Sequence, residues 1–481
     1  MGAHQSMRAG NSGAAAYSAT GLIFPAFYAL AFLTNAALPS LGLAPYSATG
    51  ALALAGVGLV ALVIARPVFS VSLLYLFAIS LSVFVAGVGI ESGGYLVETG
   101  VQGEATGAFG RLLWFYLVFV ACALVGFNYL YREDRVRGPV VPRMTAEQGS
   151  IALGLALGAA VIATGVIAGA TEGFALLKGV NRFALRNDSA DAGPLFNLFL
   201  NNQLFVAVLL GTFCSAPNRM VRWTAIVMIV ADVALLVLHG EQFMSVLGVG
   251  LAVLVPFIAI EAANGERVVR YLGIGAAIAL ALGCASVFYA YKGQGLDLSD
   301  TVMSRVLLQG QVWYVVDSDA GLFDAPTGGA AAFTRVLSSL ASPAAPTFFS
   351  DRAVSGLRDV MLAYGTPDVL RAYVHDDVTF TMGQMAVPVY WFGFAGAALF
   401  IAFTGVVYGA LAAAQIVVTQ RGGVVMLWLV TKIVSYAGFG LQQGEYWNLF
   451  GLRTLGYVLI ALAWWYCVDA RAPGFHRRIR G

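Results

Sequence analysis

At 481 residues, with 59% hydrophobic and only 11% charged side chains and a mean hydropathy of +0.80, the chain holds less than half the roughly 25% of charged residues usual in a soluble protein. That composition excludes a soluble enzyme, a nucleic-acid binder and a disordered scaffold as descriptions of the whole chain, and points to an all-α polytopic membrane protein. The balance of 27 basic and 25 acidic residues leaves no global field to recruit nucleic acid.

Residues 1–17 read as a cytoplasmic tail rather than a cleavable signal, since the next apolar stretch contains Pro25. A helix needs about 20 apolar residues to cross the hydrocarbon core. Twelve stretches qualify, at 18–37, 47–65, 68–90, 110–131, 150–170, 193–213, 224–239, 242–260, 272–291, 386–414, 424–440 and 452–468. They divide the chain into a bundle of about nine helices over 18–291, a large loop over 292–385, three helices over 386–468, and a basic tail over 469–481. With both termini in the cytoplasm, fifteen basic residues fall inside, among them Arg132, Arg135, Arg137, Arg219 and Arg222. Basic residues in short loops favour the cytoplasmic side, so the expected orientation is N-in, C-in, in a bacterial inner membrane. The bias to 24 Arg over three Lys, in an Ala- and Gly-rich chain, reads as a GC-rich bacterial genome. Cys122, Cys214, Cys284 and Cys467 form no close pair, so neither disulfides nor a zinc site is expected.

Two outer segments stand out. Loop 171–192 carries Arg182 and Arg186, spaced to share one helix face. The 94-residue loop 292–385 has helical punctuation and ten acids; loops of such length are usually functional or disordered. The run between Asp300 and Asp317 reads as an amphipathic helix with Arg305 and Gln309 on one face. Ser350 caps a predicted helix running to Tyr364, ended by Gly365, and Thr366 with Pro367 opens another. Two or three short helices lying on the outer membrane face are expected.

The outer arginines are the main chemical signal, because guanidinium binds phosphate oxygens in a bidentate fork and keeps its charge. Arg182 and Arg186 have the spacing of a diphosphate clamp, Arg305 beside Gln309 supplies a second claw, and Arg352 and Arg358 follow. Taken singly, each also fits an ordinary salt bridge to a loop acid. Glu241, after His239 in a tight turn, is a candidate general base; a hairpin tip facing water is the competing reading. Asp232 lies within a span, where acids face the protein interior, and a structural pair with Lys432 is an alternative. His375 beside Asp376 and Asp377 is a solvated loop more readily than a metal site. Glu445 reads as an interfacial anchor. Trp313, Tyr314, Tyr390 and Trp391 suit either sugar stacking or the aromatic belt of a membrane interface.

Many spans, a late large outer loop and arginines in two outer loops resemble the bacterial O-antigen and exopolysaccharide repeat-unit polymerases (Wzy-type). The resemblance is architectural and covers most of the chain, with local echoes. Val378-Thr-Phe-Thr-Met-Gly-Gln-Met-Ala-Val-Pro-Val-Tyr-Trp-Phe-Gly-Phe-Ala-Gly396 is similar to the family's approach to the helix after its large loop. The turn Gly240-Glu241-Gln242-Phe243 resembles one in related polymerases, and Gly193 follows Arg182 after ten residues, as in the family's arginine element. The resemblance implies a metal-independent glycosyltransferase without a cofactor, acting on undecaprenyl-diphosphate-linked oligosaccharide at the periplasmic face, with membrane lipid around it and a chain-length regulator as partner. It implies Glu241, then His375, as base; Arg182, Arg186, Arg305, Arg352 and Arg358 on the diphosphate; and Gln309, Gln311, Trp313 and Tyr390 on the sugars. An O-antigen ligase shares these features and differs in acceptor. A secondary transporter would show inverted repeats and midplane ionisable groups, and a scaffold would leave the outer arginines replaceable.

Overall fold

The computed structural model describes residues 47–131, 140–180, 193–241, 243–264, 268–293, 298–327, 334, 337, 356–375 and 378–469. Among them, eleven helices are long and apolar enough to cross a membrane, and each falls on a predicted stretch. The first prediction, 18–37, lies outside the described residues.

The chain enters at α1 (Ala48–Ala65), where the Ser47 hydroxyl accepts the Gly50 N–H at 3.2 Å. The Ala48 N–H donates to Glu91 Oε2 at 2.6 Å. A carboxylate at a helix start meets unsatisfied N–H groups and the positive end of the dipole. Pro67 opens the short α2 (Pro67–Ser72), followed by α3 (Leu74–Glu91). A small antiparallel hairpin, β1 (Tyr95–Leu96) with β2 (Val101–Gln102), leads to α4 (Ala108–Leu130). Then come α5 (Gln148–Glu172), α6 (Gly193–Cys214), α7 (Arg219–Leu238), α8 (Phe243–Ala263) and α9 (Val268–Gly293). The large loop contributes α10 (Leu298–Asp319), α11 (Leu357–Tyr364) and α12 (Pro367–His375). The chain closes with α13 (Ala386–Arg421), α14 (Val424–Gln443), α15 (Trp447–Phe450) and α16 (Leu452–Trp464).

Two apolar cores form. The larger draws on α1 to α4, α8, α10, α13 and α14. The smaller gathers Phe196, Phe199, Leu235, Leu236, Val246 and Val249 from α6, α7 and α8. The closest seam lies between α4 and α13, where a methyl group at Gly126, Gly405 or Gly409 would collide with the carbonyl of Val406, Phe119 or Ala123. Between membrane helices, small residues let backbones approach and recover dispersion contacts.

Helix α13 has 36 residues, about 54 Å at 1.5 Å per residue, far beyond a hydrocarbon core of about 30 Å. It is broken at Gly393, with φ 65° and ψ −178°. The N–H groups freed there, on Phe394 and Ala395, donate to Gly321 O at 3.1 Å and Leu322 O at 2.9 Å. The segment after α10 therefore caps the lower part of α13. Irregular backbone within a membrane-spanning bundle is tolerated only where protein covers it, and Ala386 to Trp391, the stub before the break, are all buried.

Helix α10 corrects one expectation. It does not lie on the membrane face: its second half, Gln311 to Asp317, is buried against α3, α4 and α13. Val312, Trp313, Val315 and Val316 surround the helix with apolar side chains, and Gly310 brings it against Ala86, Ile90 and Phe109. On either side of that buried stretch, Met303 and Arg305 in the first half and Ser318 and Asp319 at the end are exposed. In the loop's other helices, α11 starts at Leu357 after Gly356 (φ 70°), and Gly365 ends it as expected; Ser350 lies outside the described residues. Helix α12 begins at Pro367 as expected.

Candidate functional site

The hairpin, α10, α11 and α12 meet over the ends of α3 and α4. Trp313 Nε1 donates to Ala108 O at 2.8 Å, Glu104 N–H to Tyr314 Oη at 2.8 Å, and Thr366 N–H to Glu98 O at 2.9 Å. At the junction sits Glu98, 7% exposed. Gln311 Nε2 donates to its Oε2 and the Tyr373 hydroxyl to its Oε1. Burial pushes the Glu98 carboxyl above its ordinary 4.5, against the opposing pull of those two hydrogen bonds and of the Arg305 charge. Burial and the adjacent carboxylate push the Tyr373 phenol up, so it stays a donor. The result is a buried acid whose charge is opposed by burial and favoured by its two donors and by an exposed guanidinium within electrostatic reach. A second buried acid, Asp317, is gripped in bidentate fashion by Arg111, at 2.8 Å from Nε and 2.5 Å from Nη2. Burial raises the Asp317 carboxyl and Arg111 counters it.

A few elements away, Arg358 Nη1 meets Glu445 Oε1 at 2.9 Å, with both side chains about nine-tenths buried. Glu445 follows Gly444, whose φ of 70° ends α14. Next to it, the Tyr446 hydroxyl donates to Gln384 O at 2.6 Å, and the Tyr446 ring lies 5.9 Å from that of Trp391. The buried stub of α13, the end of α14 and the start of α11 thus close on one another.

The predicted residues divide between these places and others. Arg305 stands exposed on α10, and the Gln309 amide turns back to donate to Arg305 O at 3.1 Å rather than extending beside the guanidinium as a second claw. Gln311 is fully buried on Glu98. Trp313 is a core residue, edge-on to Phe115 at 5.7 Å, and offers no face for a sugar. Tyr390 is buried with its ring 6.0 Å from Tyr364, and its carbonyl accepts from Thr327 Oγ1 at 3.0 Å. His375 is the exposed last residue of α12. Arg182, Arg186 and Arg352 lie outside the described residues, as do Asp376 and Asp377.

The turn after α7 is a packed corner, not a hairpin tip in water. Glu241 is 5% exposed and accepts the Ser245 hydroxyl at 2.7 Å. His239 is boxed by Phe174, Phe196 and Phe199, with ring centroids 4.6–5.8 Å away, and its Nε2 lies 2.9 Å from Gly165 O. Two further readings change. Glu445 is the partner of a buried arginine rather than an interfacial anchor. Lys432 does not pair with Asp232; its ammonium donates to Asn201 O, and Asp232 Oδ1 is buried with no hydrogen-bond partner among the described residues. The residue missed was Glu98. Its signal was faint: one of three acids, with Glu91 and Glu104, in a short glycine-rich loop holding no basic residue.

These features define an all-helical polytopic membrane protein with a polar, partly buried centre where its loops meet one end of the bundle. Residues 350–458, which include Arg358, His375, Gln384, Trp391 and Glu445, match a family of unknown function (DUF6418). Neither the curated proteins nor the solved structures gave a match to the chain.

Proposed function

We propose that the protein is a membrane glycosyltransferase of the repeat-unit polymerase kind, which moves a growing glycan from undecaprenyl diphosphate to the terminal sugar of an incoming lipid-linked unit. The loop end of the bundle is the periplasmic face in this reading. One observation carries it: a buried carboxyl, Glu98, stands where the first loop and the large loop converge, bound by Gln311 and Tyr373 and within electrostatic reach of the exposed Arg305. That combination serves glycosyl transfer. The acceptor hydroxyl attacks the anomeric carbon, its proton passes to a carboxylate, and the bond to the diphosphate oxygen breaks. A carboxylate held above its usual pKa is a stronger base toward the hydroxyl. Each carboxylate oxygen keeps a second lone pair, so Glu98 accepts the proton while Tyr373 and Gln311 hold it in place. A guanidinium answers the charge that develops on the leaving diphosphate. Glu98 replaces Glu241 as the assigned base, because the first loop and the large loop converge on Glu98, whereas Glu241 is bound by Ser245, four residues on, at the smaller core.

The test is mass spectrometry of undecaprenyl-diphosphate-linked glycans after gene deletion in the native host, with complementation by wild type or Glu98→Gln. Single repeat units accumulating in both the deletion and the Glu98→Gln strain are expected. Long lipid-linked chains that never reach their acceptor would instead mean a ligase. An unchanged glycolipid pool sinks both, and transport assays on Asp232 variants become the next experiment.

A further inference from the structure

Among the described residues, three buried side chains around Tyr446, besides its neighbour Trp447 at Nε1, carry polar atoms sealed from solvent with nothing to bond. The Gln384 amide lacks a partner at both Nε2 and Oε1, Trp391 Nε1 lacks an acceptor, and so does Asn448 Nδ2. Their residues are 3%, 2% and 5% exposed. Buried polar groups are almost always paired, and each exception calls for an explanation. Here the exceptions gather. Gln384 lies in the turn two residues before α13, and Trp391 lies at the far end of its stub. Tyr446 joins them, through its hydroxyl to Gln384 O and its ring beside Trp391. Asn448 follows two residues later on α15.

The stub is also bounded by unusual backbone. Met382 precedes it with φ 63°, and Gly393 ends it with φ 65°. Met382 is the one positive-φ residue other than glycine among the described residues, a conformation that L side chains rarely adopt. Such outliers concentrate where a segment binds or moves. A short helix with a left-handed residue at each end can turn as a unit while α4 and the rest of α13 stay packed.

We propose that Gln384, Trp391 and Asn448 form a closed subsite for an uncharged sugar ring, opened by a shift of the stub. The chemistry of the groups selects that ligand. Amides offer donors and acceptors to hydroxyl or acetamido groups, an indole adds a donor with an apolar face, and none of the three carries charge. The nearby cation, Arg358, is engaged by Glu445, so an anion is better served at Arg305. The subsite rests on the glycosyltransferase reading for its place in a reaction, where it receives a saccharide of the lipid-linked substrate.

The test uses the full chain in nanodiscs. The probe is the phosphate-free oligosaccharide released by mild acid from the host's lipid-linked pool, with undecaprenyl diphosphate as control. Gln384→Met and Asn448→Leu remove unpartnered amides at similar volume. If the amides await a ligand, both variants keep or raise the thermal midpoint, because an unpaired buried group destabilises the free protein. Oligosaccharide affinity then falls at least about tenfold, the scale of one lost buried hydrogen bond, and diphosphate binding stays unchanged. Trp391→Phe, which keeps an aromatic ring, gives the same loss and decides the matter if an amide variant unfolds. Oligosaccharide affinity that is absent in wild type or retained in the variants overturns the subsite, and lowered midpoints with retained affinity would assign the amides to structural water. Saccharide binding lost in the variants alongside an unchanged glycolipid pool in the gene deletion would keep the subsite and remove the polymerase reading.

Discussion

Glu98 and Glu241 are hidden to nearly the same degree, 7% and 5% exposed, and both sit in turns between membrane helices. Their surroundings set them apart. Glu241 is held by Ser245, four residues on in the first turns of α8, beside a histidine locked among phenylalanines. Glu98 is held by Gln311 and Tyr373, 213 and 275 residues away. One acid is a local cap on a corner of the smaller core, and the other ties the first loop to the large loop. A buried carboxylate acquires a chemical role through what converges on it, not through burial alone.

The largest expected contrast follows directly. Glu98→Gln lowers polymer formation about 10²–10⁴-fold, the usual contribution of a general base, while Glu241→Gln leaves it at the wild-type level; product ladders from the two strains decide between the sites. Equal losses would erase the distinction. Next in size is stability at the loop end. Arg358→Ala takes the guanidinium from the buried Glu445 carboxylate and costs about 3–5 kcal/mol, whereas replacing both residues with apolar ones of similar size recovers most of that. Thermal unfolding followed by circular dichroism reads both.

At the other region, His239→Ala removes the bond to Gly165 and lowers stability by about 1–3 kcal/mol, with polymer length unchanged in the folded fraction. Gly393→Ala forces a side chain into a positive-φ, extended-ψ conformation that is essentially reserved for glycine, costing about 1–3 kcal/mol, and places its methyl group 3.0 Å from Gly321 O. Smallest is the effect of pH. Burial raises the Glu98 carboxyl above 4.5, so its share of stability is full below that value and fades as pH rises through its folded pKa. Base catalysis switches on across the same window. The acid limb of the rate profile therefore lies above pH 4.5 and disappears in Glu98→Gln.

The membrane class and nearly all span positions were legible in the chain, because about 20 apolar residues per crossing is a local requirement that composition meets by itself. Gly365 and Pro367 marked the ends of α11 and α12 for the same reason, each acting on its own backbone. Helix α10 was read correctly as a helix and wrongly as a surface one. Its apolar positions show a period, but the partner that covers them, α3, lies more than 200 residues earlier. Arg358 was picked out, whereas its partner Glu445, 87 residues on, was assigned to the interface.

Charge content, hydropathy and helix punctuation are summed or nearest-neighbour properties, so the sequence determined an all-helical membrane protein with two arginine-bearing loops and a long insertion before its last helices. The tertiary structure decided which acids are buried together with which cations, that α13 breaks at Gly393 because another loop supplies its missing carbonyls, and that Glu98 rather than Glu241 is the acid on which the first loop and the large loop converge. Those outcomes depend on convergence of distant segments, and a buried charge finds its partner by packing, not by spacing along the chain.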